Sequence, residues 1–314
     1  MKAFLKAADY QLANNLRIQP RRKVSGFSVG EQRSPTAGGG IEFADYRDYA
    51  PGDELRRVDW NVFLRLRKLV VKLAAEEKEL TLVVLLDTSA SMGYGFPEKL
   101  WYARRLAAIA AGAAVHHGDR AAIALMRPDF LELLPPERAK SGLPELVHAL
   151  SFLTAADPQS TGGAVAAGGS VVAGSQGQGA VSGGLLAARR FAARYGRKCL
   201  AVILSDFLYP DWAATISAFG ASGAEILALQ VLAPEELDPA LSGESLFLDA
   251  EDGQETPLYV DAAVIDGYRL AMDAHCRQVK AACVRAGLAY GLAPSSGDPA
   301  RLFRVELAGK SFIC

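Results

Sequence analysis

The stretch LTLVVLLDTSASMGYG, residues 80–95, places a carboxylate and three hydroxyls directly after an apolar run. Asp87 ends the run, and Thr88, Ser89 and Ser91 follow it. Oxygen donors of this kind suit Mg²⁺, which takes octahedral geometry and keeps several of its waters. A plainer interpretation is a strand end followed by a helix cap, because Asp and Ser are both favoured at the N-cap. Either interpretation puts these side chains at the end of a strand.

A second apolar run, AVILSD, ends in the same way at Asp206. Ligands of a doubly wound sheet bind outside the carboxyl ends of its strands, so Asp87 and Asp206 are expected at one rim. Alternate residues of a tight strand-to-helix turn can point the same way, so Asp87, Ser89 and Ser91 can converge. One or two carboxylates with neutral hydroxyls would leave positive charge on a bound ion. An open coordination position could then accept a carboxylate from a partner.

The elements that would position these residues alternate between strands and helices. LTLVVLLD is apolar throughout, as expected of a strand with both sheet faces covered. Helical patterns such as EKLWYARRLAAIAAGAAVHHG separate it from further strands such as DRAAIALM and KCLAVILSDF. A hairpin is predicted in SLFLDAEDGQETPLYV, around its DG pair. The spacing predicts an α/β fold with a doubly wound, mostly parallel, Rossmann-like sheet over residues 77–314.

Two segments depart from this alternation. Residues 1–76 are rich in Arg, Asp, Gly and Tyr and are predicted to form an N-terminal strand-and-turn module. Its KLVVKLAAEE stretch fits an edge strand or the start of a short helix. Residues 160–184 are nearly all Gly, Ala, Ser, Val and Gln, which is too rich in Gly for a stable helix or strand. They are predicted to be an insertion near the site, and they lack the phosphate-binding GxxxxGK[ST] pattern.

Composition excludes several classes of protein. A formal net charge of -1 gives no global attraction to nucleic acid or anionic lipid. The basic NNLRIQPRRK stretch could touch an anionic membrane surface peripherally, although a solvated arm is the simpler interpretation. No apolar run is long enough to predict a transmembrane helix, and no signal peptide is recognisable, so we expect a cytoplasmic protein. The four scattered cysteines suit a reducing compartment, with Cys276 and Cys283 packed on one helical face.

Two enzyme classes match the sequence poorly. A phosphatase of the haloacid-dehalogenase type needs a second Asp two residues after the first, and here that position is Ser89. A serine hydrolase of the GxSxG type is also disfavoured, because that elbow is absent from the sequence. These mismatches disfavour an enzyme, and a metal-dependent hydrolase is the less favoured alternative.

The DTSAS motif resembles the DxSxS signature of the metal-ion-dependent adhesion site of von Willebrand factor A (vWA) domains. The resemblance implies Mg²⁺ or Mn²⁺ bound by Asp87, Ser89 and Ser91, with Asp206 in the third metal loop. The second loop of the family supplies a Thr from a GxT turn, and that turn is degraded here. Ser182 in GAVSGGLLAARRF is the nearest candidate, and Thr161 in STGG is the alternative.

The N-terminal block GGGIEFADYRDYAPGDELRRVDWNVFLRLRKLVVKLAAEEKE resembles the EFxxxRxYxPGDxxRxIDWxxxARxxxLxVKxxxxE pattern of DUF58 proteins. With later similarities, the resemblance runs from about Gly26 to Leu302. It implies a DUF58 module at 1–76 and a vWA-like domain at 77–314. It also implies an adaptor that binds a MoxR-type AAA+ ATPase in chaperone-like or assembly work. The alternative is a structural scaffold with a degenerate metal site.

The YxPGDxxRxxDW part of this block also has a structural interpretation. Asp53, Arg56 and Asp59 could form an ion-pair network that holds the N-terminal module to the sheet. We prefer this interpretation to a direct contact with a partner.

Overall fold

The computed structural model describes residues 5–20, 42–75, 80–127, 132–135, 143–155, 183–250, 254–309 and 312–313. In these ranges the chain is a mixed α/β protein with a mostly parallel six-stranded sheet. The predicted α/β class with a mostly parallel sheet is therefore confirmed. The candidate residues Thr161 and Ser182, and residues 160–182 of the Gly-rich stretch, lie outside the described residues.

Helices and strands alternate over most of the described chain. The helices are α1 (Ala7–Asn15), α2 (Trp60–Leu66), α3 (Lys99–His116), α4 (Leu143–Ser151), α5 (Gly183–Arg194), α6 (Trp212–Ala221), α7 (Pro234–Leu237), α8 (Ala262–Arg285) and α9 (Pro299–Arg301). The strands are β1 (Glu42–Asp48), β2 (Val70–Ala75), β3 (Thr81–Leu86), β4 (Arg120–Leu125), β5 (Glu132–Leu134), β6 (Leu200–Ser205), β7 (Glu225–Leu232), β8 (Gly243–Leu248), β9 (Glu255–Val260) and β10 (Ala289–Pro294).

The main sheet has the strand order β10-β7-β6-β3-β4-β5. Its strands pair in parallel except for β5, which is antiparallel to β4. Successive side chains of β3 enter two different cores, with Leu82, Val84 and Leu86 on one face of the sheet and Val83 and Leu85 on the other. The first core contains residues of α3, and the second contains residues of α5, α6 and α8. The unbroken apolar run of β3 thus reflects burial on both faces.

The chain divides into two compact units, one formed by Met1–Gly26 with Leu80–Cys314 and the other by Phe27–Glu79. The first 26 residues thus group with the larger unit. Helix α1 contributes to this grouping, because its Asp9 makes a bidentate ion pair with Arg105 of α3. Arg105 Nε donates to Asp9 Oδ2 at 2.8 Å, and Nη2 donates to Oδ1 at 2.7 Å.

The smaller unit contains the antiparallel pair β1 and β2 together with α2. Within the KLVVKLAAEE stretch, Val70–Ala75 form the strand β2, so the strand alternative is the one observed there. Asp59 caps α2 by accepting from the backbone N–H of Asn61 at 2.9 Å, and Tyr46 Oη donates to it at 2.8 Å. Asp53 pairs with Arg47 at 2.8 Å. These acidic residues therefore organise the turns of the unit in which they lie.

Strands β8 and β9 pair in antiparallel fashion, as predicted for the runs on either side of the DG pair. Asp252 and Gly253 themselves lie outside the described residues. Cys276 and Cys283 lie on one helix, α8, as the seven-residue spacing predicts, and both are free thiols. Within the described part of the chain, no helix is both long and apolar enough to cross a membrane.

The Asp9–Arg105 pair yields a stability prediction. Replacing Asp9 with Ala leaves the buried Arg105 guanidinium without its carboxylate, which should cost about 3–5 kcal/mol in the free energy of unfolding. Urea denaturation measures this loss. Asp238→Ala is the matched control, because Asp238 pairs with Arg269 while 73% exposed and should change stability by only about 0.5 kcal/mol. Equal losses in the two variants would contradict the structural role of the buried pair.

Candidate metal centre

Asp87 and Asp206 lie at the same edge of the main sheet. Asp87 directly follows β3 and Asp206 directly follows β6, and these two strands are parallel neighbours. The backbone N–H of Asp87 donates to the carbonyl of Leu204 at 2.9 Å, which continues the pairing past the end of β3. Both side chains are buried, with Asp87 3% exposed and Asp206 fully enclosed. Sheet topology alone therefore brings two carboxylates together in a poorly solvated place.

Hydrogen bonds fix the Asp87 carboxylate on both of its oxygens. Oδ1 accepts from the backbone N–H of Ser89 at 2.9 Å, and Oδ2 accepts from Ser205 Oγ at 2.5 Å. The hydroxyls of Ser89 and Ser91 lie 3.1 Å apart, so the motif presents two hydroxyl oxygens side by side. A short 3₁₀ turn at Ala90–Gly93 gives the backbone this shape. The carboxylate and the two hydroxyls thus belong to one tightly bonded turn.

Burial raises the pKa of the Asp87 carboxyl to about 6, and the negative charge of Asp206 contributes to the increase. Hydrogen bonds from Ser205 and Ser89 act in the opposite direction, because they favour the ionised form. The ionised carboxylate of Asp87 is therefore held at a cost in free energy. A bound cation would remove much of that cost.

Asp206 is held differently, by a buried lysine. Lys99 Nζ donates to Asp206 Oδ2 at 2.7 Å and to Glu236 Oε1 at 2.6 Å. The other oxygen of Asp206, Oδ1, accepts from the backbone N–H of Leu208 at 3.1 Å. Burial would lower the pKa of the Lys99 ammonium, but the charges of Asp206 and Glu236 outweigh it and raise that pKa. Asp206 therefore faces an ammonium group, whereas the Asp87 carboxylate is held by the uncharged donors of Ser89 and Ser205.

Charge counting tests whether a divalent cation fits this place. Asp87, Asp206 and Glu236 each contribute one negative charge when ionised, and Lys99 contributes one positive charge, so the group is two charges negative. Burying unbalanced charge is costly, and a divalent cation would balance it. The described residues hold no cluster of three or more His, Cys, Asp or Glu side chains arranged for a metal. An ion here would therefore rely on Asp87, the serine hydroxyls and water, which are hard oxygen donors of the kind that Mg²⁺ and Mn²⁺ accept.

Two poorly satisfied hydroxyls lie close to this edge. Tyr209 Oη and Thr215 Oγ1 are buried, and neither makes a hydrogen bond of good geometry to a described residue. A Cβ at Gly184, in the first turn of α5, would lie 2.8 Å from Tyr209 Oη, so the tyrosine packs against the start of this helix. Burial and then the charge of Asp87 raise the pKa of Tyr209 well above its usual value, although the nearby Thr215 hydroxyl lowers it. Buried hydroxyls with incomplete bonding are uncommon, and these two mark a place where water or an ion could be bound.

Sequence reasoning missed Lys99, Ser205 and Glu236. Lys99 left a signal, because it lies four and seven residues before Ala103 and Leu106 on the buried stripe of α3. A charged residue on such a stripe predicts a buried partner. Ser205 and Glu236 left no comparable signal, since a serine beside an aspartate and a glutamate in the first turn of a short helix such as α7 are both common.

The raised pKa of Asp87 predicts how pH affects the metal-free chain. The folded state binds the carboxyl proton more tightly than the unfolded state, so stability falls as pH rises from 3.8 to about 6. Asp87→Asn removes this dependence and should be more stable than wild type at pH 7, by up to about 3 kcal/mol. Urea denaturation in a chelator at several pH values measures the difference. A difference that does not change with pH would contradict the assignment.

Comparisons with known proteins identify relatives of the chain. It is 29% identical over 276 residues to the uncharacterized protein Mb1516 of Mycobacterium bovis, covering 85% of this chain and 80% of the relative. The uncharacterized protein Rv1480 of Mycobacterium tuberculosis matches with the same identity and coverage. Among solved structures, BatB from Bacteroides thetaiotaomicron is similar with a TM-score of 0.41 and 16% identity, over 74% of this chain and 98% of that one.

A family model described as "Protein of unknown function DUF58" matches residues 45–278. The match covers more than half of the chain, and it spans most of the N-terminal block and the edge of the sheet where Asp87 and Asp206 lie. The chain belongs to the DUF58 family.

Proposed function

We propose that this protein is a non-enzymatic adaptor that binds a partner protein through a divalent cation held at Asp87. Asp87, Ser89 and Ser91 would hold Mg²⁺ or Mn²⁺, with Asp206 acting on it through water. When bound, the ion would supply a coordination position for an Asp or Glu carboxylate of the partner. Ser205 keeps the Asp87 carboxylate in place by donating to its Oδ2.

The observation that carries this proposal is the buried negative charge beside two paired hydroxyls. Asp87 is almost fully enclosed, its pKa is raised, and the ammonium beside Asp206 is already shared with Glu236. A protein that needed no cation here would be more stable with a neutral side chain at position 87. The retained carboxylate is explained if a cation binds to it.

A vWA-type fold is part of the proposal. The strand that ends before Asp87 lies in the interior of the sheet, between β6 and β4, and helices cover both faces. This arrangement supports a vWA-like domain whose metal loops lie at the carboxyl edge. The partner we propose is a MoxR-type AAA+ ATPase, on the resemblance of the N-terminal block and the DTSAS motif to proteins that work with such ATPases.

A metal-free scaffold is the second candidate. The ammonium of Lys99 favours it, because this group already neutralises part of the negative charge at Asp206. In that case the edge of the sheet would be a structural ion-pair network. Metal binding separates the two candidates.

Adding Mg²⁺ or Mn²⁺ to the chelated protein should raise its melting temperature. An ion at about 100 times its dissociation constant adds about 2.7 kcal/mol of stability, which corresponds to a shift of a few degrees, since each kcal/mol shifts a chain of about 300 residues by roughly 1.5–2 °C. Asp87→Ala should abolish the shift. Ser217→Ala is a suitable control, since Ser217 is bonded to the carbonyl of Ala213 on α6 and should leave the shift intact. A wild type that does not respond to either ion would favour the scaffold.

Co-purification with a MoxR-type AAA+ ATPase tests the proposed partner. The ATPase should be retained by wild type in Mg²⁺ and lost in chelator, and Asp87→Ala should lose it in both conditions. Quantitative pull-down with purified proteins measures this retention. Equal recovery by wild type and Asp87→Ala would place the contact elsewhere in the chain.

A further inference from the structure

Lys99 is an unusual residue to find at the start of a buried helix. Its side chain is fully enclosed, and its ammonium lies between the carboxylates of Asp206 and Glu236. Three costs accompany this position. Burial disfavours the charge, ordering a long side chain costs entropy, and a cation near a helix N-terminus opposes the helix dipole. The two carboxylates must offset all three.

Both carboxylates that hold Lys99 are themselves fixed by the backbone. Asp206 accepts from the N–H of Leu208 at 3.1 Å, and Glu236 accepts from the N–H of Ala233 through Oε2 at 2.8 Å. The ammonium therefore lies in a preformed two-carboxylate cradle. Such a cradle suits a cation, and here the cation is covalently part of the chain.

We propose that the ammonium of Lys99 pairs with Asp206 and thereby takes the place that a divalent ion would otherwise have at this carboxylate. The inference rests on the proposed metal site at Asp87, which it refines. By holding Asp206, Lys99 keeps that carboxylate from binding the ion directly and leaves Asp87 as the one charged ligand that the described residues supply. Lys99 thus sets the affinity of the site for divalent cations and keeps it low.

Binding of Mn²⁺ to the full chain, followed by the loss of the free-ion electron paramagnetic resonance signal, tests this role. The decisive variant is Lys99→Met with Glu236→Gln, which removes one positive and one negative charge and leaves the net charge of the group unchanged. It frees Asp206, and it should bind Mn²⁺ about tenfold more tightly than wild type or better, as expected when a site gains a carboxylate ligand. Glu236→Gln alone keeps Lys99 on Asp206 and should bind no more tightly than wild type.

A matched control comes from an exposed ion pair on the same chain. Arg269→Met with Asp238→Asn also removes one charge of each sign, at a pair whose side chains are 47% and 73% exposed. This control should bind Mn²⁺ as wild type does. Circular dichroism and thermal melting check that each variant is folded, and the charge-balanced double variant avoids the two unpaired carboxylates that Lys99→Met alone would leave.

The results separate this inference from the proposed function. If the double variant binds Mn²⁺ no more tightly than wild type, the role of Lys99 is overturned. If wild type binds no Mn²⁺ but the double variant does, the proposed metal-dependent function fails while the role of Lys99 stands. If neither protein binds Mn²⁺, both fail.

Discussion

At the carboxyl edge of the main sheet, the described residues place three acidic side chains, Asp87, Asp206 and Glu236, beside one ammonium group, that of Lys99, and much of the local structure reflects this imbalance. Parallel neighbours such as β3 and β6 end at the same edge, and both are followed by an aspartate. Because both carboxylates are buried, neither is solvated by open water. The surrounding elements must therefore supply hydrogen bonds and positive charge.

The balancing groups come from parts of the chain that are far apart in sequence. Lys99 enters from α3, Glu236 follows β7, and Ser205 ends β6. The network continues through Gln230, whose Nε2 donates to the carbonyl of Asp206 at 3.1 Å and whose Oε1 accepts from Tyr290 Oη at 2.8 Å. Buried polar networks of this kind are stabilising only when their members are satisfied. The side chains at this edge come from different strands, helices and loops, and their hydrogen bonds and ion pairs hold one another in place.

The sequence predicted the elements better than it predicted the site's electrostatics. The apolar run of β3, the long helix α3 and the β8–β9 hairpin follow from local patterns that burial and turn chemistry impose. Helix α1 and the antiparallel strand β5 were not predicted: α1 is held by an ion pair with Arg105, far along the chain, and β5 is only three residues long, too short to leave a periodic pattern. Likewise Asp87 was visible from its motif, whereas the pairing of Lys99 with Asp206 depends on a contact across 107 residues of sequence.

Under the proposed function, the two ionic arrangements at this edge have a joint consequence. Lys99 pairs with Asp206, so among the described residues a divalent ion at Asp87 would have one charged ligand and an open coordination position. A carboxylate from a partner would fill that position. Metal and partner would then each strengthen the binding of the other, and such coupling is necessarily reciprocal. Because the site alone would bind the ion weakly, the affinity of the adaptor for the ion would depend on whether the partner is bound.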